Sequence, residues 1–131
     1  MALQASSSFH PLPPLTPAVF HILLALFDQD RHGYGIMLEV ERSTAGELRL
    51  GPGTLYGTIK RMLAAGLVEE SDTRPDPELD DERRRYYRLT PLGRQTLTAE
   101  TARLAQILRV AQTKGAAPGA PSRKAGTKAA G

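Results

Sequence analysis

Thr54, Tyr56, Lys60 and Arg61 fall within eight residues of the run Gly51-Pro52-Gly53-Thr54-Leu55-Tyr56-Gly57-Thr58-Ile59-Lys60-Arg61-Met62-Leu63-Ala64-Ala65-Gly66. Two hydroxyls and two cations so close together suit a polyanion. Hydroxyls donate to phosphate oxygens, and Lys or Arg reaches phosphates or guanine edges. On a helical wheel Leu55, Ile59, Met62 and Leu63 share one side, the pattern of a core-facing stripe. The opposite side carries Gly53, Gly57, Lys60 and Ala64, with Thr54 and Arg61 at its edge and Tyr56 on the border. A glycine inside an exposed helix costs about 1 kcal/mol relative to alanine. That cost has a purpose where something bulky must approach the backbone, and a DNA major groove about 12 Å wide admits a slim helix. Two other readings stay open: Gly57 allows close packing on another helix, and Tyr56 is a half-buried core residue.

Catalytic and metal chemistry find less support. Glu47-Leu48-Arg49-Leu50 before Gly51-Pro52-Gly53-Thr54 imitates a strand–loop–helix phosphate site, but the lysine-serine ending of a Walker loop is missing. His10, His21 and His32 do not share metal-ligand spacing, and there are no cysteines to supply thiolates or disulfides. Asp76, Glu78, Asp80, Asp81 and Glu82 sit in a proline-bearing loop, a poor frame for acid–base geometry. The expectation is a non-enzyme with no cofactor and no metal.

The elements that must position the basic helix follow from caps and periodicity. Thr16-Pro17 opens a first helix, because Thr caps and Pro suits the first helical position; Val19, Phe20, Leu23, Leu24, Leu26 and Phe27 give it a wide apolar face. His21 lies in that helix as a packed or interface residue. Asp28-Gln29-Asp30-Arg31 ends it, and the glycines of His32-Gly33-Tyr34-Gly35 make a tight turn into a short second helix that carries Ile36, Met37 and Val40 and fades at Ser43-Thr44-Ala45-Gly46. Glu47–Leu50 forms either a short strand or an extended link. The glycine-bare helix then stops at Gly66, a C-terminal cap. Leu67–Ser71 and Arg84–Thr90 read as a hairpin around a long polar tip; at least one of Tyr86 and Tyr87 is core, since they face opposite ways. Thr90-Pro91 repeats the capping signal and opens a last helix from Leu92 to about Thr113.

This order, mainly α with a small β-hairpin, is that of a winged helix-turn-helix. It divides the chain into a flexible arm at 1–14, a domain at 15–114 and a disordered basic tail at 115–131. The 131 residues carry a net charge of +3, unevenly spread. Eight of fourteen acids lie between Glu69 and Glu82 with one base, leaving sixteen Lys and Arg against six acids elsewhere. Such segregation points to a polyanion for the body of the chain, nucleic acid or an anionic membrane. The apolar run Ile22–Phe27 is far short of the ~20 residues that span a bilayer, and no secretory leader is evident. A soluble cytoplasmic protein with no membrane partner is expected.

Five segments carry a family resemblance: Leu15-Thr16-Pro17, His32-Gly33-Tyr34-Gly35-Ile36, Gly53-Thr54-Leu55-Tyr56, Gly66-Leu67-Val68-Glu69-Glu70 and Arg84-Arg85-Tyr86-Tyr87-Arg88-Leu89-Thr90. In order and approximate spacing, over roughly Leu15 to Ala111, the chain resembles the PadR family of bacterial transcriptional regulators. The resemblance implies a dimeric winged helix-turn-helix that binds double-stranded DNA and represses promoters. Carried over residue by residue, it makes Tyr34 a phosphate contact, Thr54, Tyr56 and Lys60 contacts of the recognition helix, and Arg83, Arg84 and Arg85 contacts made from the wing. Those arginines alternatively pair with the acids just before them. The chain resembles the short branch of the family, which dimerises through its last and first helices. Some members release DNA on binding phenolic acids or planar drugs. With no tryptophan here, a stacked-indole drug site is excluded, and the identity of any inducer stays unknown.

Dimerisation has a signal of its own. Leu97, Thr101, Leu104, Leu108 and Ala111 step by four, three, four and three, an a/d seam widened by Ile107. The other use of such a seam is packing on its own domain. A homodimer predicts two recognition helices about one DNA turn, ~34 Å, apart and a palindromic operator. The rival to DNA binding is a winged helix that binds protein instead. The acidic tip from Asp72 to Glu82 either points away from a duplex or restrains nonspecific binding.

Overall fold

The computed structural model describes residues 14–71 and 85–119. The chain divides into two compact units, Met1–Leu97 and Thr98–Gly131. In the first, helix α1 (Pro17–Phe27) is followed by strand β1 (Arg31–His32), helix α2 (Gly33–Ser43), helix α3 (Pro52–Ala64), strand β2 (Val68–Ser71) and strand β3 (Tyr86–Leu89). Helix α4 (Pro91–Thr113) begins there and continues into the second unit. The expected arm falls outside the described residues except for Pro14, and so do 120–131 of the tail and the whole acidic tip. No helix among the described residues is long and apolar enough to cross a membrane.

Three of the described helices start at a residue whose side chain caps them, while α3 starts at Gly51-Pro52 without a side-chain cap. Thr16 Oγ1 accepts from the Val19 N–H at 3.3 Å, and Pro17 takes the first position. His32 caps α2, its Nδ1 accepting from the Gly35 N–H at 3.1 Å. At the end of α3 the Leu67 N–H reaches the Met62 carbonyl and the Gly66 N–H reaches that of Leu63, with Gly66 at φ +78°. This is the Schellman arrangement expected of a glycine stop.

The hairpin is part of a larger sheet than the sequence suggested. Its order is β1-β3-β2, antiparallel throughout, with Arg31 opposite Tyr87 and His32 opposite Tyr86. The segment read as a helix end and turn therefore contains a two-residue strand, held by an Arg31 Nε donation to the Ala25 carbonyl at 2.7 Å. The strands of the hairpin proper are shorter than expected, and Glu47–Leu50 is a link rather than a strand. Because β3 is central, both tyrosines are buried. Tyr87 joins the core, and Tyr86 is covered by the His32 ring, edge-on at 5.2 Å.

The core of the first unit is built from Ile22, Leu23 and Leu26 of α1, Ile36 and Val40 of α2, Leu55, Ile59 and Met62 of α3, and the sheet residues Val68, Tyr87 and Leu89. Thr90 ties the base of the hairpin to α4. Its N–H donates to the Leu67 carbonyl, its hydroxyl donates to that of Gly66, and the same oxygen accepts from the Gly93 N–H at 3.0 Å. Gly93 lies so close to Leu67 that a β-carbon there would overlap the carbonyl group. Glycine is required by the approach of two backbones.

Candidate nucleic-acid interface

Helix α3 sorts its side chains in the way its sequence period dictates. Leu55, Thr58, Ile59 and Met62 are buried, while Gly53, Thr54, Tyr56, Lys60, Arg61 and Ala64 are exposed. A β-carbon added at Gly53 would meet nothing within 4 Å, and one at Gly57 would meet only the Arg61 Nη1, at 3.8 Å. Neither glycine serves close packing on another helix. The exposed side of α3 is therefore a low ridge of backbone flanked by two hydroxyls and two cations.

Tyr56 has a defined seat. Its ring lies over Gly33, the first residue of α2, where an added β-carbon would come within 2.6 Å of Cζ. Half of the residue stays exposed, so Tyr56 is neither core nor free-swinging. Tyr34 is more exposed and stacks on the capping His32, with centroids 6.5 Å apart and planes 9° from parallel. Two phenols near the start of α2 thus join the edge of the α3 ridge. The neighbouring Tyr87 hydroxyl is held above its ordinary pKa, by burial first and then by Glu70, so it stays protonated at neutral pH.

On the hairpin, Arg85 is exposed and donates to Glu70 at 2.9 Å, and Arg88 donates to Glu69, its register partner, at 2.8 Å. Arg85 thus finds a carboxylate on the facing strand, and the acids that precede it in sequence, from Asp72 to Glu82, lie outside the described residues. Arg83 and Arg84 lie outside the described residues.

The seam residues separate into two kinds. Leu97 is buried in the core of the first unit, whereas Thr101, Leu104 and Leu108 are exposed and Ala111 is partly so. Ile107 and Val110 add to the exposed apolar surface of α4. On α1, Leu24 and Phe27 are exposed too, with the Arg94 guanidinium 4.9 Å above the Phe27 ring. Among the described residues no group of three His, Asp or Glu is placed to hold a metal ion.

Two features of the face lie beyond what helical periodicity reveals. One is the seat of Tyr56 on Gly33, between residues 23 positions apart. The other is Thr58, which is almost wholly buried and accepts a hydrogen bond from the Arg61 Nη2 at 3.2 Å. The three-residue spacing of Thr58 and Arg61 is the one cue that was available.

Comparison with known proteins places this architecture. The profile of the Transcriptional regulator PadR-like family matches residues 22–99. A transcriptional regulator of Mycobacterium tuberculosis is 38% identical over 89 residues, covering 68% of this chain and 77% of its own. An uncharacterized 37.1 kDa protein in transposon TN4556 of Streptomyces fradiae is 37% identical over 86 residues; the match covers 66% of this chain but only 22% of that protein. Among solved structures, a PadR family transcription regulator from Clostridium difficile superposes with a TM-score of 0.61 at 26% identity, covering 76% of this chain and 98% of that one.

Proposed function

The chain belongs to the PadR-like family of transcriptional regulators, DNA-binding proteins rather than enzymes, and from that premise we propose that it acts in the cytoplasm as a homodimeric repressor of a palindromic operator. The observation that carries this reading is the exposed ridge of α3, bare at Gly53 and Gly57 and flanked by Thr54, Tyr56, Lys60 and Arg61. A helix without side-chain bulk on its outer face sits deep in a major groove, and its flanking groups then reach the walls. Thr54, Tyr56 and Tyr34 donate hydroxyls to backbone phosphates, which fixes register without reading sequence. Lys60 and Arg61 take phosphates or guanine edges, and a two-pronged Arg–guanine contact supplies about 1–3 kcal/mol of discrimination. Arg85, with Arg83 and Arg84, follows the backbone from the wing.

The exposed Leu104, Ile107 and Leu108 of α4 support pairing with a second copy, since burying such a stripe is favourable and leaving it wet is not. A two-fold dimer offers two equivalent ridges to two half-sites about one turn, ~34 Å, apart. Occupied at a promoter, it denies polymerase the same stretch of duplex. Selecting genomic fragments that bind the purified protein, followed by mobility shift on the recovered sequences, tests the reading. The expected result is an inverted repeat bound by two chains. Failure to retain any duplex even at low salt would reject DNA binding in favour of a protein-binding winged helix.

A further inference from the structure

We propose that Thr58 is a positioning residue for DNA reading: its buried hydroxyl holds the Arg61 guanidinium on the outer face of α3, so that the fork meets the duplex already oriented. The inference rests on the proposed role of Arg61 at the DNA.

Thr58 occupies a core position, 1% exposed, on the same side of the helix as Leu55, Ile59 and Met62. A valine of the same shape would satisfy that environment, and a buried hydroxyl is costly unless it is bonded. Its bond is to Arg61, whose Nη2 donates to Oγ1 at 3.2 Å. Long helical side chains lean toward the preceding turn, and here the other fork nitrogen, Nη1, lies 3.8 Å from where a β-carbon of Gly57 would stand. The guanidinium therefore rests beside the bare turn of the ridge.

The nature of the tether matters as much as its position. Arg42, Arg85, Arg88 and Arg103 are each hydrogen-bonded to a carboxylate, of Glu39, Glu70, Glu69 and Glu100 respectively. Arg61 is instead held by a neutral hydroxyl. It gains orientation and keeps its full charge for a partner, and four of its five N–H donors are not used by this bond. A flexible arginine loses rotamer freedom when it docks. Thr58 imposes that loss in the free protein.

The test compares wild type, Thr58→Val, Thr58→Ser, Arg61→Ala and the double variant Thr58→Val/Arg61→Ala, on the selected operator and on a random duplex, by fluorescence anisotropy with unfolding midpoints measured alongside. Thr58→Ala replaces the valine variant if the latter fails to fold. Arg61→Ala should weaken operator binding about tenfold or more, the order of one good base contact. Thr58→Val should weaken it about three- to tenfold, the order of one re-immobilised side chain, with random-DNA affinity within about twofold of wild type. Thr58→Ser should restore binding, and the double variant should be no weaker than Arg61→Ala alone. Wild-type operator affinity in Thr58→Val with Arg61→Ala impaired would overturn the positioning role. So would a valine effect that persists in the Arg61→Ala background, because Thr58 would then act on the helix and not on Arg61. Wild-type binding by Arg61→Ala would reject Arg61 as a DNA contact, and no duplex binding by the wild type would reject the functional reading itself.

Discussion

The Tyr56 ring occupies the space that any side chain at position 33 would need, and the two residues should behave as one in binding experiments. Gly33→Ala meets the far end of a half-exposed side chain rather than backbone, so the ring swings out and the fold survives. Alanine also favours helix over glycine by up to about 1 kcal/mol. We expect the unfolding midpoint of Gly33→Ala to hold or rise while operator affinity falls as far as in Tyr56→Ala. Tyr56→Phe should lose less, about 1–3 kcal/mol if the hydroxyl makes a charge-assisted bond to phosphate. Wild-type affinity in both Tyr56 variants would remove this residue from the interface. The outward placement of Thr54, Tyr56, Lys60 and Arg61 was legible because a helix turns by a fixed angle per residue and four apolar positions mark its buried side. The burial of Tyr56 against Gly33 was not, since nothing in either segment encodes contact with the other. Leu97 gives the reverse lesson. Heptad spacing marks a residue for burial but not for burial against a particular chain, and Leu97 is buried within its own.

Helix boundaries were the most readable elements, since Thr16-Pro17, Gly66 and Thr90-Pro91 each perform the capping their chemistry suits. Strand β1 was not readable. Two residues show no period, and the strand exists because β3 has a free edge beside it and Arg31 anchors its start. The same limit hides the joint at Thr90, where Gly93 approaches Leu67. Unlike the seat of Tyr56, this contact is backbone on backbone, and no rotamer change relieves it. Gly93→Ala should therefore destabilise the fold by about 3 kcal/mol or more, the upper range of overpacking, read as a drop in the urea midpoint. A change under about 1 kcal/mol would mean that α4 can shift away from Leu67 at little cost.

Dimerisation and stability belong to the whole molecule. Leu104→Asp places a charge in the exposed α4 stripe and should convert the proposed dimer to monomer in sedimentation while sparing the fold; a dimeric variant would move the interface elsewhere. Stability should also depend on pH through His21, whose Nδ1 is shielded without a hydrogen-bond partner among the described residues. Burial holds this imidazole below its ordinary 6.5, so the unfolded chain takes up a proton first and stability falls as pH drops below about 6.5. His21→Leu should flatten that slope in urea midpoints taken between about pH 7.5 and 5.5. An unchanged slope would assign the loss to another group. A later loss belongs to Glu39, held below its ordinary 4.5 chiefly by its hydrogen bond from Arg42, and present as a stabilising term only above that lower value. The paired charges of the hairpin carry one further consequence, in the currency of dissolved ions. A bare cation that meets DNA frees a condensed salt ion from the phosphates, and dilution of those ions drives binding. Arg85 already holds Glu70. The pair is neutral as a whole, so when Arg85 moves to a phosphate the uncovered Glu70 carboxylate beside the duplex offsets the phosphate charge that Arg85 neutralises. The net release is close to zero, so binding should respond to salt less steeply than the exposed cations would suggest. Glu70→Gln should tighten duplex binding and steepen the log–log slope against KCl by about 0.9; an unaltered slope would place Arg85 away from the backbone. With this pair silent, the salt response of the proposed DNA contact should be carried by exposed cations such as Lys60 and Arg61.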